Sequence, residues 1–262
     1  MLIEETLTSG MRVWTARPDT EARRPAILVL HERYGPVQHS FNLVEKMAAD
    51  GYVACVPDIY HRYTGDRGPI ERAEARVDPT DEETLEDLDE TIAHLRSLAH
   101  VDGDRIGIAG FCASGRTPLV FAAARNTAAA IAVFHGGVYP RDYEPIYPGQ
   151  APASELIAKL GCPVLGMFGE LDRLVPLENV ARFRQELEQG AKSYRIRVFA
   201  GVPHAWLNST TADAYRPREA EDAWRTMVSF FKEVFAGEWE TATPRQHFER
   251  DAAIGFDFAS EP

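Results

Sequence analysis

An apolar run, Ile106 to Phe111, meets the turn Gly110-Phe-Cys-Ala-Ser-Gly115 and then an alanine-rich stretch, Thr117 to Arg125. The run is β-branched at two positions and punctuated by glycine, which suits a strand buried on both faces; the stretch after it is rich in strong helix formers. A chain that passes from buried strand to helix in so few residues must turn sharply, and Cys112 stands at that turn. Such an elbow presents one side chain beside unpaired N–H groups and the positive end of a helix, where a thiolate and an oxyanion are both stabilised.

The same alternation runs along the chain. Glu4 to Thr15 reads as a hairpin around Ser9-Gly10, and strands are predicted at Ala26–His31, Tyr52–Pro57, Ala130–His135, Val164–Phe168 and Tyr194–Phe199. Helices are predicted at Val37–Asp50, ending at Gly51, at Glu83–Leu98, at Leu177–Gln189, ending at Gly190, and at Glu219–Phe235. Strands separated by helices need crossover connections. The predicted fold is therefore α/β, a mainly parallel sheet with an N-terminal antiparallel hairpin at one edge, helices on both faces, and ligands at the carboxyl ends of the strands.

With 262 residues, 45% of them hydrophobic, the chain can bury one large core, and no linker divides it. We read residues 1–236 as the catalytic domain. Residues 237–262 form an extension whose Trp239, Phe248, Phe256 and Phe258 imply docking on that domain or on a partner subunit, and the oligomeric reading is monomer or homodimer. A net charge of −12 disfavours nucleic acid and anionic membranes. The start, Met1-Leu-Ile-Glu-Glu-Thr, lacks a basic and apolar leader, and no run suits a membrane span, so the expected location is the cytoplasm. Cys55 and Cys162 read as small buried hydrophobes. The acidic stretch Asp78 to Glu90 keeps helical apolar spacing and reads as a solvated helix face with its acids in the first turns.

A cysteine nucleophile needs a base within hydrogen-bond reach, and the base needs an acid to fix its tautomer. The strand Val164–Phe168 runs into a loop carrying Asp172, and the strand Tyr194–Phe199 runs into a loop carrying His204. Both loops lie at the same sheet edge as Cys112, which makes Asp172 the candidate acid and His204 the candidate base, with Glu170 a rival acid. His39, His94, His100 and His247 fall on helices or in the tail and read as surface residues. The loop after Ala26–His31 supplies the Arg33 N–H as a second oxyanion donor beside that of Ala113. His31-Glu32 lacks the second histidine of a zinc motif, so no metal and no cofactor are expected. His135-Gly-Gly137 follows a different strand from the oxyanion loop and reads as backbone packing near the pocket.

The segments His31-Glu-Arg-Tyr-Gly35, Pro57-Asp-Ile-Tyr60, Gly110-Phe-Cys-Ala-Ser-Gly-Arg116, Gly169-Glu-Leu-Asp172 and Val202-Pro-His-Ala-Trp206 together resemble the dienelactone hydrolase family of α/β-hydrolases over roughly residues 1–236. The resemblance implies a Cys112–His204–Asp172 triad, a Glu32 that contacts the thiol and governs its activation, and hydrolysis of an enol-lactone or related ester through a thioester. Tyr34, Trp206 and Arg62 are the candidate substrate-binding residues. Two positions depart from the family pattern. Ser114 replaces the usual glycine two residues after the cysteine and is a rival nucleophile. Enzymes for dienelactone itself place an arginine shortly after the histidine, where this chain reads Trp206-Leu-Asn208; Arg62, Arg67 and Arg76 are other sources of a cation. Three functions follow: a small-molecule lactone or ester hydrolase, a promiscuous esterase or hydrolase of another acyl or phosphoryl substrate, and a catalytically silent binding protein on the same scaffold.

Overall fold

The computed structural model describes residues 2–259; Met1 and residues 260–262, at the ends of the two predicted units, lie outside the described residues. In chain order the elements are β1 (Ile3–Thr6), β2 (Arg12–Ala16), β3 (Arg24–Leu30), α1 (Gln38–Ala49), β4 (Val53–Pro57), α2 (Gly68–Glu71), α3 (Asp81–Ser97), β5 (Val101–Phe111), α4 (Thr117–Ala124), β6 (Ala130–Phe134), α5 (Pro140–Tyr143), α6 (Ala153–Lys159), β7 (Val164–Gly169), α7 (Leu177–Gln189), β8 (Tyr194–Phe199), α8 (Pro217–Phe235) and β9 (Gln246–Arg250). A 3-10 turn, Cys112–Arg116, joins β5 to α4. Among the described residues nine strands form one sheet in the order β1-β2-β4-β3-β5-β6-β7-β8-β9. The β1–β2 and β2–β4 pairs are antiparallel and the remaining pairs parallel, which is the α/β arrangement read from the alternation.

The apolar runs are continuous because the central strands are covered on both faces. In β3, Ala26, Leu28 and Leu30 join one core layer, while Ile27 and Val29 join the other. The first layer includes Leu88 and Ile92 of α3, Leu119 of α4, Leu156 of α6 and Phe183 of α7. The second is closed by α1 and α8, whose Ala220, Ala223, Trp224, Met227, Phe230 and Phe231 repeat at three and four residues and are all buried. Burying each large side chain of that stripe contributes about 1.5–3 kcal/mol. The acidic stretch opens α3, where Thr80 and Glu83 cap each other reciprocally, the Thr80 N–H donating to Glu83 Oε2 at 2.8 Å and the Glu83 N–H to Thr80 Oγ1 at 3.2 Å. No helix among the described residues is long and apolar enough to cross a membrane.

Several local features differ from the sequence reading. β5 begins at Val101 rather than Ile106, pairing with Arg24 of β3. The short helices α2, α5 and α6 and the strand β9 were not predicted. β9 holds no β-branched residue and owes its extended state to pairing with β8 from Tyr194↔Gln246 to Val198↔Arg250. In the same extension Trp239 is buried beside Phe230, and Phe248 and Phe256 pack on Phe258. Cys55 is buried, but Cys162 is only half-buried. His39 is a clear correction, being 2% exposed on the inner face of α1 instead of lying on the surface.

Candidate active site

β5 delivers the chain into the elbow with Cys112 at φ 52°, a left-handed conformation that costs a non-glycine residue roughly 1–3 kcal/mol. The residue is 6% exposed. The register Phe111↔Phe134 sets Cys112 beside His135, the residue after β6. Backbone presses on backbone there: a Cβ at Gly136 would lie 2.0 Å from the Cys112 carbonyl oxygen, and one at Gly115 would lie 2.7 Å from the Gly136 carbonyl carbon. Only glycine fits either position, so the Gly136-Gly137 pair braces the elbow.

The loop after β8 brings His204 Nε2 to 3.1 Å from Cys112 Sγ, and the loop after β7 brings Asp172 Oδ2 to 2.7 Å from His204 Nδ1. Asp172 is itself fixed, its Oδ1 accepting from the N–H groups of Leu174 at 2.9 Å and Val175 at 3.1 Å. Burial disfavours a charged His204, yet its hydrogen bonds to Asp172 and Cys112 outweigh that and push its pKa up to about 10. Glu170 is directed elsewhere, accepting from the Gly201 N–H at 2.7 Å.

The Arg33 N–H has no acceptor among the described residues, and Ala113 lies in the first turn of the 3-10 segment, where N–H groups lack helix partners. Ser114 is turned inward. Its hydroxyl donates to the His31 carbonyl at 2.6 Å and lies 3.1 Å from that of Phe111, tying the elbow to the end of β3. Tyr34 is half-buried, and Tyr60 and Tyr139 are buried. Burial above all raises these three phenols, with Cys112 among the neighbouring groups that add to it. Tyr139 Oη donates to the His135 carbonyl at 3.1 Å, and the Arg141 guanidinium sits 4.2 Å over its ring. No sequence motif had singled out Tyr139.

Glu32, 2% exposed, accepts from Asn208 Nδ2 at 2.6 Å and from His135 Nε2 at 3.2 Å, and neither oxygen is hydrogen-bonded to Cys112. Burial opposes its charge, but the hydrogen bond from His135, the electrostatic pull of the His39 and His135 rings and the hydrogen bond from Asn208 hold it below the usual carboxylate range. Burial lowers His135 and His39, so neutral imidazoles surround a carboxylate. Among the described residues no group of three or more His, Cys, Asp or Glu side chains is arranged to hold a metal ion.

The model of the dienelactone hydrolase family matches residues 11–235. The chain belongs to the dienelactone hydrolase family. An Escherichia coli O157:H7 protein provisionally named carboxymethylenebutenolidase is 31% identical over 233 residues, covering 86% of this chain and 83% of that protein. A Bradyrhizobium protein provisionally named 2-oxo-3-(5-oxofuran-2-ylidene)propanoate lactonase is 28% identical over 225 residues, covering 84% and 88%. A Klebsiella pneumoniae crystal structure, provisionally of a dienelactone hydrolase, superposes with TM-score 0.79 at 26% identity over 89% of this chain and 99% of that one. A dienelactone hydrolase-like promiscuous phosphotriesterase from metagenomic libraries shares the fold, with TM-score 0.70 at 19% identity over 89% and 98%. The protein is thus a hydrolase of the dienelactone hydrolase type.

Arg62 is taken up by Asp87 and Glu86 on α3, and Arg67 by Asp58 and the Tyr60 carbonyl. Arg76 pairs with Asp78. Trp206 is fully buried, packed on Phe199 and His135, and so supports the site from inside the core. Asn208, two residues on, is occupied with Glu32. Of the candidate substrate-binding residues, Tyr34 is half-buried, Trp206 buried and Arg62 exposed.

Proposed function

We propose that this dienelactone hydrolase-family protein cleaves a lactone or carboxylic ester through a thioester on Cys112. The observation that carries the proposal is the thiol at the φ 52° elbow with His204 at 3.1 Å, itself 2.7 Å from Asp172. The thiol proton passes to His204 Nε2 and Sγ attacks the carbonyl carbon, sending an electron pair to the carbonyl oxygen beside the N–H groups of Arg33 and Ala113. Collapse breaks the acyl C–O bond, and the departing oxygen takes the proton from His204; in a lactone it stays tethered and the ring opens. His204 then removes a proton from water, hydroxide adds to the thioester, and collapse expels the thiolate and leaves the carboxylic acid. Asp172 holds the Nδ1 proton and steadies the imidazolium throughout. The lactonase and butenolidase names of the relatives support a lactone as the substrate class.

Stopped-flow hydrolysis of p-nitrophenyl acetate tests this directly. The expected result is a burst of one p-nitrophenol per enzyme, with an acetyl group on Cys112 in the quenched protein. Equal turnover by Cys112→Ala would refute the thioester route. Absence of turnover with a panel of esters and lactones would favour the silent binding scaffold.

A further inference from the structure

We propose that Asn208 is a positioning residue that, with His135, holds the Glu32 carboxylate in a buried socket turned away from Cys112, so that its negative charge does not oppose ionisation of the thiol toward His204. The inference rests on the proposed role of Cys112 and specifies how that thiol is armed.

The direction of every hydrogen in the socket follows from one backbone group. The Thr210 N–H can only donate, and it donates to Asn208 Oδ1 at 3.0 Å, as does the Thr210 hydroxyl at 2.6 Å. The other amide atom, Nδ2, therefore faces Glu32 Oε2 at 2.6 Å and can only donate. Glu32 Oε1 lies 3.2 Å from His135 Nε2, while His135 Nδ1 is buried without a partner among the described residues, which places the ring proton on Nε2. Both oxygens thus accept, and Glu32 is an ionised carboxylate whose two oxygens are already engaged. Asn208 is 2% exposed and His135 fully buried, so these hydrogen bonds are shielded from solvent. His39 of α1 and Tyr34 of the loop after β3 complete the titratable groups facing Glu32. Those facing Cys112 are His204, Tyr34, Tyr60 and Tyr139. To approach the thiol, Glu32 would have to break a charge-assisted hydrogen bond inside the protein.

The test measures the rate of Cys112 alkylation by iodoacetamide against pH, together with kcat and KM for p-nitrophenyl acetate. In Asn208→Ala one Glu32 oxygen is released, and a carboxylate free to turn toward the thiol opposes thiolate formation. The alkylation profile is expected to move up by about one pH unit, slowing the reaction up to about tenfold at pH values below the wild-type midpoint. kcat should fall with little change in KM. Asn208→Asp, of the same shape, should shift the profile in the same direction. The Glu32→Gln/Asn208→Ala double variant should track Glu32→Gln alone, because no carboxylate remains to be released. A wild-type alkylation profile in both Asn208 variants, with only melting temperature lowered, would overturn the proposal, as would a shift that persists in the Glu32→Gln background. Alkylation requires no turnover, so this result stands apart from any failure of the hydrolytic reading.

Discussion

Cys112 and His135, just past β5 and β6, and Ala205, in the loop after β8, all adopt positive φ, whereas no residue within β8 or β9 themselves does. The same rim buries Glu32, His135, Asp172 and Asn208, each less than 5% exposed. At the edge the buried groups are apolar or shielded by their partners: Trp239 rests on Phe230 and donates to Glu233 at 3.1 Å, and Arg195 and Arg245 stack on its ring. The contrast teaches where stability is spent and where it is gathered. The rim carries strained backbone and desolvated charge held by the surrounding core. The edge adds apolar burial and one more strand. Substitutions at the two regions should therefore separate chemistry from stability.

The largest separation is expected at the elbow. Cys112→Ala should lower kcat/KM for an aryl ester by about a thousandfold or more while leaving the melting temperature near wild type. Cys55→Ala and Cys162→Ala should keep their activity, since burial pushes both thiols up to about 12 and removes them from reaction at neutral pH. Ser114→Ala should also turn over, because its hydroxyl is committed to backbone carbonyls. Substantial hydrolysis by Cys112→Ala together with its loss in Ser114→Ala would reverse the assignment.

Next comes the acid. Asp172→Asn should cost about a hundred- to ten-thousandfold in kcat through loss of the correct His204 tautomer. Glu170→Gln, which changes only a contact to the Gly201 N–H, should cost little. A steady-state comparison in which Glu170→Gln is the more damaged of the two would assign the acid to Glu170.

At the edge the balance should invert. Trp239→Ala removes a large buried ring and should destabilise the protein by about 3–5 kcal/mol, read from urea unfolding, while the activity of the folded fraction stays close to wild type. Loss of activity at unchanged stability would show that the edge communicates with the rim, and the two regions would no longer be independent.

How much of this was legible follows from where each signal lies. Cys112, Asp172 and His204 each lie just past a strand, and parallel strands place the loops after them on one rim, so local pattern alone could bring them together. The continuous apolar run Ala26 to Leu30 likewise announces a strand covered on both faces. The Glu32 socket draws His135, Asn208 and His39 from three different elements, and no spacing in the chain encodes their meeting. His39 was nevertheless readable: His39, Leu43 and Met47 recur every four residues, and all three are buried on one face of α1. β9 was not, because Gln246 to Arg250 holds one strand-favouring residue, Phe248, among four polar ones, and its extended state is set by pairing with β8.

The smallest expected effect concerns that buried histidine. Burial lowers the pKa of His31, His39 and His135 from 6.5, so the folded protein keeps these rings neutral under conditions where the unfolded chain begins to bind protons. Below about pH 6.5 the unfolded state then holds more protons than the folded state, and stability falls as the pH drops, each ring contributing at most about 1.4 kcal/mol per pH unit. Above that pH the rings are neutral in both states and the dependence vanishes. His39 makes no hydrogen bond through either ring nitrogen among the described residues, so His39→Leu removes one titration without breaking the Glu32 socket. Its unfolding free energy should decline less steeply between about pH 6.5 and 5 than that of the wild type, with the two curves parallel above neutrality. Parallel curves over the whole range would mean that His39 takes up its proton in the folded state as readily as in water, and that the rim is less desolvated than its burial implies.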